Sequence, residues 1–312
     1  MDILVSGSMA YDRIMDFPGR FSDHIMPDKI HMINVSFTVN GLKENLGGTA
    51  GNIAYVLSLL GEKARILATM GHDYHQYFQW LEEKGIGTGD IRIINEELTA
   101  SAYITTDEGD NQITGFNPGA MKFPSLCDLT KATPADCLAI VAPGNLQDMA
   151  DYTKAYHENG IFSIFDPGQS LPIWDAKDLA KTISMSNMLV SNDYELGLIQ
   201  NATGLSEEQL LESVGTIVTT KAEHGCDVTT AAGTLTVPVV PTLGVVDPTG
   251  AGDAFRGGLI KGLVEGLSVE RAAQMGTVCA HYAVQKYGTQ EYHFTIDEFN
   301  TTLEQNFGKG KS

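Results

Sequence analysis

The stretch Val245-Val246-Asp247-Pro248-Thr249-Gly250-Ala251-Gly252-Asp253-Ala254-Phe255 decides how this chain is read. Gly-Ala-Gly stands directly before a helix-length run that starts near Asp253 and continues through Leu263. Small residues let a backbone approach an anion closely, and the N–H groups of a first helical turn point at it. Gly250, Ala251 and Gly252 are therefore a candidate anion hole. Asp253 has an ordinary reading as an N-cap. Beside an anion hole it has a second one: its carboxylate can take the proton of an attacking hydroxyl while the hole stabilises a transferring phosphoryl group. With an Asp on each side, the run is far more specific than a lone Gly-rich turn.

Around this run, short apolar segments recur at 3–5, 64–70, 137–142, 161–165, 188–190 and 216–219, closed by polar or Gly/Pro punctuation. Amphipathic helix-length stretches lie between several of them, as at 52–60, 74–84 and 206–214. Strands alternating with helices predict an α/β domain of three layers, α/β/α, with a mostly parallel central sheet covered on both faces. Ligands in such sheets bind beyond the C-terminal strand ends. Two segments break the rhythm. One, 17–46, alternates polar and apolar residues over 33–39. The other, 98–117, reads as a hairpin turning at Glu108-Gly109-Asp110. Both are expected to give strands of a small β-sheet lid. The large domain then comprises 1–16, 47–97 and 118–312.

Four further constellations have polar residues at strand or helix ends. Gly47-Gly48-Thr49-Ala50-Gly51-Asn52 permits a tight turn and close ligand contact at Gly48, and Asn52 offers donors and an acceptor to sugar hydroxyls; an ordinary loop-to-helix junction is the alternative. Gly7-Ser8-Met9-Ala10-Tyr11-Asp12 places Asp12 where it could accept from a vicinal diol, or serve as a turn residue. In Ser191-Asn192-Asp193-Tyr194-Glu195, Asn192 and Glu195 have the spacing to hold a hydrated Mg²⁺, which prefers oxygen ligands, and equally the spacing of a capping box. The run 218–225, with Thr220 and Gly225, is either a nucleotide-binding turn or a plain hairpin turn.

Composition excludes other classes. Lys and Arg number 20 against 39 Asp and Glu, a net charge of −19. Nucleic acid is not expected as a partner, because phosphate contacts need clustered cations. Acidity does not exclude a nucleotide held by backbone N–H groups. There is no 18-residue apolar run and no visible signal peptide, so a cytoplasmic protein without a membrane partner is expected. The four cysteines form no C-x-x-C pair and are expected as reduced, packed thiols. The first strand is not followed by G-x-G-x-x-G, which argues against a nicotinamide-dependent dehydrogenase.

Taken in order, these motifs resemble the ribokinase-like (PfkB) family of carbohydrate and nucleoside kinases. The Gly-Gly signature matches 47–52, the Asn-x-x-Glu motif 192–195 and the C-terminal signature 247–253. Within the family, Gly7-Ser-Met-Ala-Tyr-Asp12, Phe17-Pro-Gly-Arg-Phe-Ser22, Phe116-Asn-Pro-Gly-Ala-Met121, Gly252-Asp-Ala-Phe-Arg256 and Gly288-Thr-Gln-Glu291 look like bacterial-type adenosine kinases. The resemblance implies an ATP-dependent kinase acting on the 5′-hydroxyl of adenosine, in purine salvage, or failing that on another nucleoside or a sugar such as ribose or fructose. It implies Asp253 as catalytic base and Gly250, Ala251 and Gly252 as the anion hole. Ser8, Asp12, Gly48 and Asn52 would bind the ribose, and Phe116 would pack against the base. Asn192, Thr220 and Gly225 would lie near ATP, with Glu195 and Asn192 reaching Mg²⁺ through water. The 247–249 loop resembles the K⁺ site of relatives, and many relatives form homodimers through the lid.

The chain also departs from the family. Thr220-Lys221-Ala222 stands where Thr-Leu-Gly is frequent, Ala102 stands where an aromatic flanks the base, and no arginine follows Asp166-Pro-Gly. These differences bear on specificity rather than on the chemistry. A catalytically dead nucleotide-binding protein is a further alternative, opposed by Asp253 and the intact glycines.

Overall fold

The computed structural model describes residues 1–26, 31–32, 34–109, 111–130, 132–242 and 244–310. The large sheet is built around β1 (Asp2–Ser6), in which Ile3, Leu4 and Val5 are inaccessible to solvent. β2 (Ala10–Asp16) and β3 (Lys43–Gly47) leave for a second sheet, and β4 (Ala64–Gly71) and β5 (Ile91–Ile94) return to the first. β6 (Ala100–Thr106) and β7 (Gln112–Asn117) complete the second sheet. β8 (Cys137–Val141), β9 (Phe162–Phe165), β10 (Met188–Asn192), β11 (Thr216–Thr220), β12 (Cys226–Thr230) and β13 (Gly233–Val237) complete the first. Its order is β13-β12-β11-β10-β9-β8-β1-β4-β5. Every pairing from β11 to β5 is parallel, and only β12 and β13 add antiparallel edges.

Buried parallel strands read as unbroken apolar runs because both faces are covered. β8, Cys-Leu-Ala-Ile-Val, is buried at all five positions. In β1 the alternation sends Ile3 and Val5 into one core and Leu4 into another. The first core receives α1 (Thr49–Leu59), α2 (His75–Glu83), α7 (Ala251–Val264) and α8 (Val269–Ala283) through Ile53, Leu57, Tyr77, Leu81, Phe255, Leu259 and Ala272. The opposite core receives α3 (Leu146–Glu158), α4 (Ala176–Ser184), α5 (Asp193–Thr203) and α6 (Glu207–Val214) through Met149, Tyr156, Leu179, Ile199 and Leu210. Each of the Ile, Leu, Met and Phe side chains among these contributes about 1.5–3 kcal/mol by leaving water. α9 (Ile296–Phe307) closes a third cluster with Phe299 and Leu303. The three-layer arrangement expected from the sequence is thus present.

The separate small sheet is also present, ordered β3-β2-β6-β7, with β2 antiparallel to β3 and parallel to β6, and β6 antiparallel to β7. Two details differ from the sequence reading. The strand expected over 33–39 is absent from 34–39, and Ile33 and the turn residue Asp110 lie outside the described residues. Phe37 instead packs on Phe17, with ring centroids 4.6 Å apart, in an aromatic cluster that includes Phe21. Alternation there reflects side-chain packing without a ladder. Moreover β2, assigned from sequence to the large domain, is a central strand of the small sheet, so the chain enters that sheet at Ala10 rather than at residue 17.

Candidate active site

The site lies where the loops beyond the C-terminal ends of β1, β9 and β10 meet the N-terminus of α7 and one face of the small sheet. Gly250, at φ 78°, is the N-cap of α7 in a left-handed conformation that favours glycine. The amide of Ala251 donates to the Pro248 carbonyl and that of Ala254 to the Gly250 carbonyl. Between them, the amides of Gly252 and Asp253 have no protein acceptor among the described residues. Two free N–H groups at a helix N-terminus are able to receive an anion. A side chain at Gly252 would collide with the Arg256 guanidinium, only 2.6 Å from where its Cβ would stand. Arg256 is buried and ion-paired with the buried Asp166.

Asp253 is partly buried on the first turn of α7. Its Oδ2 accepts from Asn52 Nδ2 at 2.8 Å, and Oδ1 has no protein partner among the described residues. Burial pushes the Asp253 carboxyl above its ordinary range and the Glu195 charge adds to this, while Arg256 and the Asn52 hydrogen bond oppose it. Burial outweighs the two opposing groups, and the net direction is upward.

Asp12, on β2, faces the same space. No protein group among the described residues donates to its oxygens. Burial, then the charges of Asp247 and Asp253, raise its pKa to about 6. Its register partners are Asn45 on β3 and Ala102 on β6, and Ala102 pairs with Phe116 on β7. Cross-strand partners point to one face of a sheet, so Asp12, Ala102 and Phe116 form a row. Phe116 is 54% exposed.

Other sequence candidates have structural partners. Ser8 is buried, and its Oγ accepts from the Thr49 amide at 3.0 Å, fastening the end of β1 to the start of α1. Gly48, at φ 90°, lies against the Ser8 carbonyl and the Ala10 amide, so its role begins as backbone fit. Asn52 is 4% exposed, and its Oδ1 accepts from Gln290 Nε2 at 3.0 Å. Its oxygen and one N–H are thus engaged by protein, the oxygen by Gln290 and the N–H by Asp253. Asn192 and Glu195 form the capping box: Asn192 Oδ1 accepts from the Glu195 amide at 2.7 Å, and Glu195 Oε2 from the Asn192 amide at 2.9 Å. Glu195 Oε1 has no protein partner among the described residues, and its charge acts on Asp166, Asp253 and Arg256. No group of three or more His, Cys, Asp or Glu is poised to hold a metal among the described residues. Thr220 ends β11 beside Asn192, its register partner. Gly225, at φ 84°, turns back so closely that a Cβ would meet the Val237 carbonyl at 2.0 Å. The four cysteines are free thiols, three of them buried.

Sequence reasoning gave no role to Asp166, Arg256, Gln290 or Trp80. Asp166, pushed up to about 7 by burial against the pull of Arg256, sits 90 positions from its partner. Its signal in the sequence was the Asp-Pro-Gly closing a buried strand.

The pfkB family carbohydrate kinase model matches residues 7–295. The chain belongs to this family. The nucleoside kinase of Methanocaldococcus jannaschii is 29% identical over 274 residues, covering 87% of this chain and 90% of that protein. Burkholderia thailandensis nucleoside kinase in complex with inosine is 38% identical, with a TM-score of 0.87 and 98% of each chain covered. A structure of that Burkholderia kinase in complex with ADP-inosine has a TM-score of 0.85 at 39% identity, covering 98% of this chain and 96% of that one. In this chain the Gly47–Asn52 and Gly250–Asp253 turns meet through the Asn52–Asp253 hydrogen bond. No helix among the described residues is long and apolar enough to cross a membrane.

Proposed function

We propose that this PfkB kinase transfers the γ-phosphoryl group of ATP to the 5′-hydroxyl of a nucleoside, with adenosine the expected acceptor. The observation that carries the nucleoside over a bare sugar is the row Asp12–Ala102–Phe116. Two strand spacings put the carboxylate and the ring roughly 10 Å apart, with a small side chain between them. A bare sugar would use only the carboxylate end. A nucleoside would use both, its ribose diol donating to Asp12 and its base lying on Phe116. Inosine is a second expected acceptor, since the similar Burkholderia kinase is described with inosine bound and stacking reads a ring face rather than its edge.

In the reaction, Asp253 Oδ1 accepts the 5′-hydroxyl proton as the oxygen attacks phosphorus. The Gly252 and Asp253 amides receive the charge that spreads over the transferring group, with Arg256 buried behind them. Mg²⁺ bound with ATP would neutralise phosphate charge, and Glu195, with a free oxygen beside the buried Asp166, together with Asn192, fits a role in holding its waters. Thr220 and Gly225 would border the nucleotide. The small sheet would act as the lid, closing over the acceptor and excluding water. β7 is exposed along its whole length, the edge a lid-mediated homodimer would use. K⁺ would sit at the 247–249 loop.

The deciding experiment is a panel of adenosine, inosine, other nucleosides, ribose and fructose assayed with ATP–Mg²⁺ for ADP release. Selective turnover of nucleosides supports the reading. Ribose or fructose used as efficiently as adenosine replaces it with a sugar kinase.

A further inference from the structure

Behind Asp253 runs a chain of hydrogen bonds that the reaction does not use directly. Trp80 Nε1 donates to Gln290 Oε1 at 2.9 Å. Gln290 Nε2 donates to Asn52 Oδ1 at 3.0 Å and to the Tyr77 hydroxyl at 2.6 Å. Asn52 Nδ2 donates to Asp253 Oδ2 at 2.8 Å. Gln290 and Tyr77 are 2% and 0% exposed, so bulk water does not compete for these groups. The direction of the chain is set at its far end. An amide side chain can turn over and exchange its oxygen for its NH₂, but an indole N–H can only donate. Gln290 must therefore face Trp80 with oxygen and Asn52 with nitrogen. Asn52 must then show its oxygen to Gln290 and its NH₂ to Asp253. Reversal would put the Asn52 oxygen against a carboxylate. The indole itself is fixed between the Tyr55 ring, 6.1 Å away, and the Lys84 ammonium, 4.1 Å from its centroid.

We infer that Trp80 and Gln290 are positioning residues for the phosphoryl-transfer base: they lock the Asn52 amide with its NH₂ toward Asp253, and so hold that carboxylate ionised and oriented. The inference rests on Asp253 being the base. Arg256 on α7, Glu195 on α5, Asp12 on β2 and Asp166 after β9 also act on or with Asp253, and the variants below leave all four in place. Tyr77 is the internal control. Its hydroxyl accepts from Gln290 and donates to the Gly47 carbonyl at 2.8 Å, so losing it removes a buried partner without freeing the direction of the chain.

The test measures kcat/KM for adenosine and inosine against pH, with ATP–Mg²⁺, in the full-length protein and in Trp80→Phe, Gln290→Met, Tyr77→Phe and Asp253→Asn. Trp80→Phe and Gln290→Met should lose activity increasingly as pH falls, from at most about threefold near pH 8.5 to roughly tenfold near pH 5.5, because the ionised base is no longer favoured. Tyr77→Phe should show no such slope. A uniform loss at all pH values, no loss, or the same slope in Tyr77→Phe overturns the inference. If Trp80→Phe fails to fold, as its melting temperature will show, Gln290→Met decides alone. Near-normal turnover in Asp253→Asn refutes the base assignment itself, an outcome distinct from a flat pH profile with Asp253→Asn inactive.

Discussion

Asn52 and Asp253, 201 positions apart, meet through one hydrogen bond of 2.8 Å that joins the N-terminal turn of α1 to that of α7. It brings the two glycine-rich signatures of the chain onto one carboxylate. A hydrogen bond to a charged, partly buried group is worth about 1.5–3 kcal/mol, and removing the donor leaves the carboxylate short of a partner. Asn52→Ala should thus cut kcat for adenosine by roughly tenfold or more. It should also lower activity more at acidic than at alkaline pH, since the amide works against burial to keep Asp253 ionised. Steady-state rates across pH check this; an Asn52→Ala enzyme altered in KM alone would make Asn52 a ribose ligand only.

Asp12 predicts a cost in stability. Its folded pKa of about 6 stands above the unfolded 3.8, so the folded state binds the proton more tightly. The destabilisation is absent below the unfolded value, grows as pH rises, and is complete above the folded one. Asp12→Asn should therefore melt at a higher temperature than the parent at about pH 8, and its advantage should shrink by on the order of 1 kcal/mol by about pH 5. Thermal melts at the two pH values measure it. Equal melting temperatures at both would show that Asp12 is solvated.

Phe116 bears on specificity. Phe116→Ala should raise KM for adenosine more than it lowers kcat, the pattern of lost uniform binding. Any rate with ribose should be untouched. An unchanged KM for adenosine would remove the aromatic shelf from the account.

Ala222 occupies the left-handed region at φ 46°, a conformation that favours glycine. A β-carbon there costs about 1–2 kcal/mol, partly offset by the lower unfolded-state entropy of alanine. Ala222→Gly should stabilise the fold by about 0.5–1 kcal/mol in a denaturant titration, and alter KM for ATP more than KM for adenosine if the turn borders the nucleotide.

Most of the large sheet was legible because a strand buried on both faces must be apolar at every position, as 3–5 and 137–141 are. The turn into α7 was legible because only glycine at 250 and 252 allows its backbone path and the approach of Arg256. The pairing of distant side chains was not. The cap that starts α1 comes from Ser8, 41 positions away, so the helix begins at Thr49 rather than at residue 52. Trp80 and Gln290 read as an ordinary amphipathic-helix residue and part of a motif, and their coupling exists only once α2 and the 288–291 turn converge. Asp166 and Arg256 likewise carried no mutual signal. The alternation at 33–39 misled because period two records only that alternate side chains are covered, here by the cluster around Phe17.

As the proposed base, Asp253 is the residue on which nucleoside phosphorylation at this site turns. The most direct test is Asp253→Asn, a near-isosteric change that keeps an acceptor for Asn52 but removes the proton-accepting carboxylate. Turnover of adenosine with ATP–Mg²⁺ should fall by roughly a hundredfold or more while melting temperature and ATP affinity stay close to the parent's. Near-normal turnover in the folded variant would contradict the account.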